Sequence, residues 1–274
     1  MTTAAASLLP VALEAVAIAS DLMRTRVPGL LTAKGDRDMA SEVDYAIERA
    51  VRDHLRDKTP DIAFLGEEEG ITGNNTAELL WTLDPVDGTA NYVRGLPMCG
   101  ISLGLIHKDR PIVGVIDLPF LNTRYHAAQN VGAYQGDRRL QVSMTTDLKD
   151  AIVALGDYAV GKDADNKNRL RLALTERLAA NVQRVRMLGS AALDLAWVAD
   201  GKLDASIMLS NKPWDTAAGV LIAREAGATV IDADGTDHTF TSTATIAVAP
   251  HLASQLSALV GTVINAVQSE MGSS

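Results

Sequence analysis

The chain has 274 residues, 47% of them apolar and 22% charged, enough for a real core and unlike a disordered or fibrous protein. A formal net charge of −9 argues against a nucleic-acid surface, which needs a basic stripe. The single cysteine, Cys99, sits in an apolar run, which rules out a disulfide framework within these residues and suits a reducing cytosol. No basic n-region leads into a long apolar segment at the N-terminus, and Glu14 breaks its apolar run. No window reaches the roughly 18 uninterrupted apolar residues of a membrane span. A soluble, cytoplasmic protein with neither a membrane nor a nucleic-acid partner is the expectation.

Residues 4–26 are alanine-rich with few breakers and predict a first helix, ended before Pro28-Gly29. Lys34-Gly35-Asp36-Arg37-Asp38 reads as a polar loop. Ser41 has the character of an N-cap, with Asp44 three residues on as the acidic partner of a capping box. Val43, Ile47, Val51 and Leu55 repeat at helical spacing, so a second helix runs to residue 56. Residues 62–65 form an apolar strand that runs into Gly66-Glu67-Glu68-Glu69-Gly70. A second strand over 81–83 ends at Asp84-Pro85, because proline cannot donate to a ladder. If the two strands are neighbours, Glu67 and Asp84 come to one edge of a sheet. Asp87-Gly88-Thr89 then turns into a helix start.

Residues 100–107, 111–118, 124–128 and 132–134 read as an antiparallel meander, with a turn at Lys108-Asp109-Arg110. The polar stretch 143–150 is the best candidate boundary and divides an N-terminal α+β half, 1–145, from a C-terminal α/β half, 146–274. Beyond it the expectation is a strand at 151–155, a charged mobile loop at 161–168, a helix at 170–180 and a strand at 184–188. Gly189-Ser190-Ala191-Ala192 opens another helix, where small residues allow close ligand approach. A strand at 204–208 and a turn at Asn211-Lys212-Pro213 precede Trp214-Asp215, which starts a helix stopped by Gly227. Late strands at 228–232 and 245–248 and a last helix complete an alternation typical of α/β structure.

The chemistry concentrates in Asp84-Pro85-Val86-Asp87-Gly88-Thr89. Two carboxylates in one tight turn repel unless one is protonated or a cation lies between them. Hard oxygen ligands at this spacing suit Mg²⁺ beside a phosphate-bearing substrate. The N–H groups of Gly88 and Thr89 open a helix where an anion can dock. Asp-Pro and Asp-Gly are also common turn pairs, and a plain turn is the alternative. Asp44 and Asp215 likewise have the plain alternative of capping their helices. His54, His107, His126, His238 and His251 are scattered without metal spacing, and Cys99 reads as packing.

Glu67 in its Gly-Glu-Glu loop, the Asp84 to Thr89 motif, and Trp214-Asp215 with Ala-Gly following come in this order and at these spacings. Together they resemble the inositol monophosphatase family of Mg²⁺-dependent, lithium-sensitive phosphatases, over residues 34–230 and with an actinobacterial character. The resemblance implies a layered αβαβα sandwich of the inositol monophosphatase and fructose-1,6-bisphosphatase type, with the site in a cleft between the halves. It implies that Glu67, Asp84 and the Val86 carbonyl hold a first Mg²⁺, that Asp84, Asp87 and Asp215 hold a second, and that Glu68 contributes to a looser third. Asp44 and Thr89 match the pair that orients and deprotonates the attacking water, and Lys34 matches a lysine at the edge of the site. Gly88 and Thr89 amides would hold the phosphate, and Gly189, Ser190 and Ala191 would line the alcohol side with Asp215. A homodimer is implied as well.

Where inositol-specific members carry a substrate-binding glutamate this chain has Met208, and a thioether cannot accept strong hydrogen bonds from sugar hydroxyls. The expected activity is Mg²⁺-dependent hydrolysis of inositol-1-phosphate or a similar small polyol phosphate. Histidinol phosphate and fructose-1,6-bisphosphate are alternative substrates, and a non-catalytic metal-binding regulatory module is the alternative of another class.

Overall fold

The computed structural model describes residues 2–35, 38–73 and 78–272. The first helix, α1 (Thr2–Thr25), buries Ala12, Ala15, Val16, Ala19 and Met23 against a second helix and the sheet beneath. Its segment Ala5–Thr25 has a mean hydropathy of 1.6 and is, by length and composition, long and apolar enough to cross a membrane. The run is nonetheless not uninterrupted, since Glu14 and Asp21 fall within it. Alanine richness keeps the average high in spite of Glu14 and Asp21, and the apolar stripe is spent on the core.

β1 (Leu31–Gly35) and β2 (Asp38–Ser41) pair as an antiparallel hairpin, so most of the expected polar loop is strand. Asp36 and Arg37 of that loop lie outside the described residues. α2 (Glu42–Lys58) starts at the expected capping box: the Ser41 side chain takes the Val43 N–H, and Asp44 returns to the Ser41 backbone. β3 (Ala63–Gly66), β4 (Gly70–Thr72), β5 (Leu79–Asp87), the one-turn helix α3 (Thr89–Val93), β6 (Gly100–His107), β7 (Arg110–Leu118), β8 (Thr123–Ala128), β9 (Gly132–Gln135) and β10 (Arg138–Arg139) follow. The eight strands from β3 onward form one sheet in the order β10-β9-β8-β7-β6-β5-β3-β4. Every pairing is antiparallel except that of β3 with β5, where Gly66 lies level with Leu83. Trp81, fully buried on β5, donates its indole N–H to Thr59 Oγ at 3.1 Å and ties the strand to the end of α2.

The remaining elements are β11 (Ile152–Leu155), α4 (Ala164–Asn181), β12 (Arg184–Arg186), α5 (Ala191–Ala199), β13 (Ala205–Met208), α6 (Pro213–Glu225), β14 (Thr229–Ile231), β15 (Thr245–Val248) and α7 (Ala253–Gly272). Their five strands form a second sheet in the order β12-β11-β13-β15-β14. β11 is parallel to both neighbours, whereas β15 is antiparallel to both of its own.

Four packed interiors separate five layers. The α1–α2 pair covers one face of the large sheet, with Val43, Ile47, Trp81 and Leu103 between them. α5 and α6 cover the other face through Leu193, Ala218, Leu221 and Ile116. The same two helices face the small sheet through Leu195, Val220, Met208 and Ala247. α4 and α7 close the far side through Leu174, Leu178, Leu256 and Val260. The result is the expected αβαβα sandwich.

Three boundaries differ from expectation. β5 continues through Pro85 to Asp87, because its pairing with β6 slips between Asp84 and Asp87 and no ladder bond is asked of the proline there. α4 begins at Ala164, inside the stretch read as a charged loop, since its charged first turns lie on the exposed face. α6 begins with Pro213 at its first position and Lys212 as its cap, which puts Asp215 at the third helical position rather than at the cap.

A carboxylate-lined candidate active site

β3 and β5 run side by side, and the Glu67 N–H bonds the Leu83 carbonyl at 3.2 Å, so Glu67 and Asp84 emerge at one sheet edge. Their carboxylates lie close enough to repel each other. Asp84 is 4% exposed and accepts the Val86 N–H at 3.0 Å. Burial first, and then the charges of Glu67, Asp87 and Asp215, push its carboxyl well above the ordinary range. Asp215, arriving on the first turn of α6, is raised well above that range by burial, by Asp87 and by Glu67. The structure therefore gathers Glu67, Asp84, Asp87 and Asp215 from two elements and one turn into mutual repulsion.

Asp87 is the best-satisfied of the four. It takes the Ser190 hydroxyl and the Ala192 N–H at 2.6 Å each and the Ala191 N–H at 3.3 Å, so the N-terminus of α5 docks on it. Burial nevertheless lifts it to about 6, against the pull of those donors. Behind it, Gly88 has φ 87°, and a Cβ there would sit 2.9 Å from the Gly189 carbonyl, so only glycine lets β5 turn into α3 against this segment. The Thr89 hydroxyl lies 3.2 Å from Asp44 Oδ1 and 3.0 Å from the Val86 carbonyl. Asp44 is wholly buried, and burial raises its carboxyl against the hydrogen bonds from Ser41 and Thr89.

Lys34 stands on β1 at the mouth, with Nζ 2.6 Å from Glu67 and 2.9 Å from Glu68. Burial alone would lower its proton affinity, but the two glutamates hold it above the usual lysine value. Gly189, Ser190, Ala191 and Asp215 line a cavity of about 220 Å³, which Met208 also borders.

Residues the sequence reading passed over complete the site. Glu48, fully buried on α2, accepts the N–H groups of Glu68 and Glu69 at 2.8 Å each and fixes the turn that presents Glu67. Its signal was an acidic residue one helical turn after Asp44 on an otherwise apolar face. The Asn91 side-chain amide donates to the Met98 carbonyl at 2.7 Å and the Leu188 carbonyl at 2.8 Å, fastening α3 to the segment before Ser190. Nothing local marks it, because the contact that fastens the two segments reaches Leu188, 97 residues away.

The donor set fits a hard divalent cation: carboxylates and a carbonyl, most of them buried, with Lys34 as the one cation bonded to the group among the described residues. No three His, Cys, Asp or Glu among the described residues close into a ready-made cage. Glu67 leans toward Lys34 and Asp87 toward α5, so protein cations and N–H groups meet charge that a metal would otherwise take.

A five-layer sandwich with a carboxylate cluster at the junction of its sheets is the architecture of metal-dependent phosphatases. The model of the inositol monophosphatase family matches residues 4–269, and the chain belongs to that family, whose members are phosphoric monoester hydrolases that depend on metal, generally Mg²⁺. The "Nus factor SuhB" of Pasteurella multocida is 34% identical over 225 residues, 82% of this chain and 83% of that one. A "fructose-1,6-bisphosphatase/inositol-1-monophosphatase" of Thermotoga maritima is 35% identical over 210 residues, 77% of each. The solved inositol monophosphatase of Anabaena superposes with a TM-score of 0.83 at 32% identity, over 93% of this chain and 96% of that one.

Proposed function

We propose that the protein is a Mg²⁺-dependent phosphomonoesterase acting on inositol-1-phosphate or a similar small polyol phosphate. The observation that carries this reading is the crowding of Glu67, Asp84, Asp87 and Asp215, whose mutual repulsion leaves the site short of positive charge. Those residues and the Val86 carbonyl would hold two or three Mg²⁺ ions. When bound, Mg²⁺ activates the attacking water and offsets charge on the departing alkoxide.

The chain's own residues do the rest. The Thr89 hydroxyl, tethered to Asp44, is placed to accept a hydrogen bond from the attacking water and pass its proton toward Asp44. Burial of Asp44 raises its basicity for that task. The first-turn N–H groups at Gly88 and Thr89 would receive the phosphate oxygens. Lys34 would balance the entering charge at the mouth, and Gly189, Ser190 and Ala191 would line the alcohol. Positioning of this kind matters because the uncatalysed reaction is so slow that enzymes accelerate it by up to about 10²¹-fold.

The relatives' names divide over what they act on or join, so fructose-1,6-bisphosphate stays in the substrate set, with histidinol phosphate as the other alternative. A cytoplasmic homodimer sensitive to lithium belongs to the same proposal. The test is phosphate release from inositol-1-phosphate, histidinol phosphate, fructose-1,6-bisphosphate, glycerol-2-phosphate and a 3′-phosphonucleotide, with and without Mg²⁺. Release from at least one, abolished by chelation, supports the reading. Release from none would favour a metal-binding regulatory module.

A further inference from the structure

The cavity beside Asp215 has a far wall that the proposed chemistry does not use. Arg171, on α4, lines it next to Met208 and is only 6% exposed. Its guanidinium donates to the carbonyls of Asp157 and Lys167 at 3.2 Å each and reaches Ser210 Oγ at 3.5 Å. Those are neutral acceptors. Asp157 and Asp194 border the same cavity, but neither forms an ion pair with Arg171 among the described residues. Burial alone pulls the guanidinium below its usual proton affinity, with no carboxylate offsetting it.

A buried cation without a counter-charge is costly, and leaving it unpaired is strongly unfavourable. Arginine has five N–H donors, and three atoms of protein accept from this one. Arg171 shares the wall with Met208, whose thioether offers no strong acceptor. A polyol hydroxyl could accept from the guanidinium, but only as a neutral acceptor. A carboxylate or a second phosphate would meet a planar, charge-assisted fork.

We propose that Arg171 is a specificity-determining residue, selecting phosphate esters that carry a second anionic group at the end remote from the scissile phosphate. The inference rests on the phosphatase reading above and narrows its substrate class.

The decisive pair is 3-phosphoglycerate against glycerol 3-phosphate, which differ in whether the remote carbon is a carboxylate or an alcohol. Fructose-1,6-bisphosphate against inositol-1-phosphate provides the matching comparison for a second phosphate. In the wild type, kcat/KM favours the anionic member of at least one pair. Arg171→Gln reduces that preference ratio by about 10- to 100-fold, carried mainly by KM, because the contact is remote from the reacting bond. Arg171→Lys keeps the charge and retains more of the ratio, which separates charge recognition from loss of packing. A fall confined to one pair identifies the second anion as carboxylate or phosphate. A ratio near unity in the wild type, or one unchanged in Arg171→Gln, overturns the proposal.

Thermal melting with the same compounds, without Mg²⁺, decides the matter independently of turnover. Greater stabilisation by 3-phosphoglycerate or fructose-1,6-bisphosphate than by its neutral counterpart, lost in Arg171→Gln, supports the role of Arg171 even if no compound is hydrolysed. Equal stabilisation in both proteins overturns it.

Discussion

Asp87 shows what a single side chain is asked to do here. It closes β5, faces Asp84 and Asp215, and receives the N-terminus of α5 through Ser190, Ala191 and Ala192. Asparagine has the same shape and keeps an acceptor for those donors, but it loses the charge. Asp87→Asn is therefore expected to retain the fold by circular dichroism while Mg²⁺-dependent turnover falls by about 100-fold or more. Wild-type turnover would remove Asp87 from the proposed metal site. His238, packed beside the start of α6, carries a different signature. It is 5% exposed, Nε2 lies 2.9 Å from Thr245 Oγ, and Nδ1 has no partner. Burial lowers its pKa from 6.5 to about 4. Between those values the unfolded chain binds a proton that the folded chain refuses, so this group's contribution is complete above pH 6.5 and is lost as pH falls. The loss amounts to about 3 kcal/mol once both values are passed. Wild-type melting temperature should thus fall more steeply with acid than that of His238→Asn, and parallel curves would refute the assignment.

At the scale of elements, α6 is set by how closely it lies on the large sheet. A Cβ on Gly114 of β7 would come 2.7 Å from the Ala218 carbonyl, and one on Gly104 of β6 would come 2.9 Å from the Ala217 side chain. Gly114→Ala is expected to cost about 1–3 kcal/mol by overpacking and to lift the helix that carries Asp215. Its melting temperature and its Mg²⁺ affinity should fall together, whereas a drop in only one would show that the helix position and the site are independent.

Much of this arrangement was legible in the chain because its signals are local. The capping box at Ser41 and Asp44, the strand that delivers Glu67 and the turn at Asp87-Gly88 each follow from a few neighbouring residues. Pro85 misled because a slipped register excuses the missing donor, which only the partner strand reveals. Asp215 carried the alternative of a cap because a Pro at the first helical position followed by an Asp in the first turn looks locally much like an Asp N-cap. Glu48, Asn91 and Arg171 each reach a partner far along the chain, 20 residues away at Glu68, 97 at Leu188 and 39 at Ser210, and no short window of sequence contains both ends of those contacts.

Across the whole molecule, the site is assembled by apposing the two sheets through α5 and α6, and its carboxylates stay crowded in the process. Mg²⁺ that binds only the folded chain must therefore stabilise it, by about 2.7 kcal/mol at a hundredfold excess over Kd. The expected result is a higher melting temperature with Mg²⁺, reversed by a chelator and largely absent in Asp87→Asn. Identical melting with and without the ion would exclude binding to the folded state.

The order of the small sheet has one more consequence, for synthesis. β15 lies between β13 and β14, although it is made after both. Until β15 has been made, β14 has no neighbour to pair with and β13 has an open edge. The nascent chain can complete its large sheet early, but the shelf on which α6 rests is a gap until the final strand slides in. The emergence of β15, rather than the translation of any active-site residue, completes the sheet beneath α6, and the open edge at β13 is the surface that a chaperone would have to guard until then.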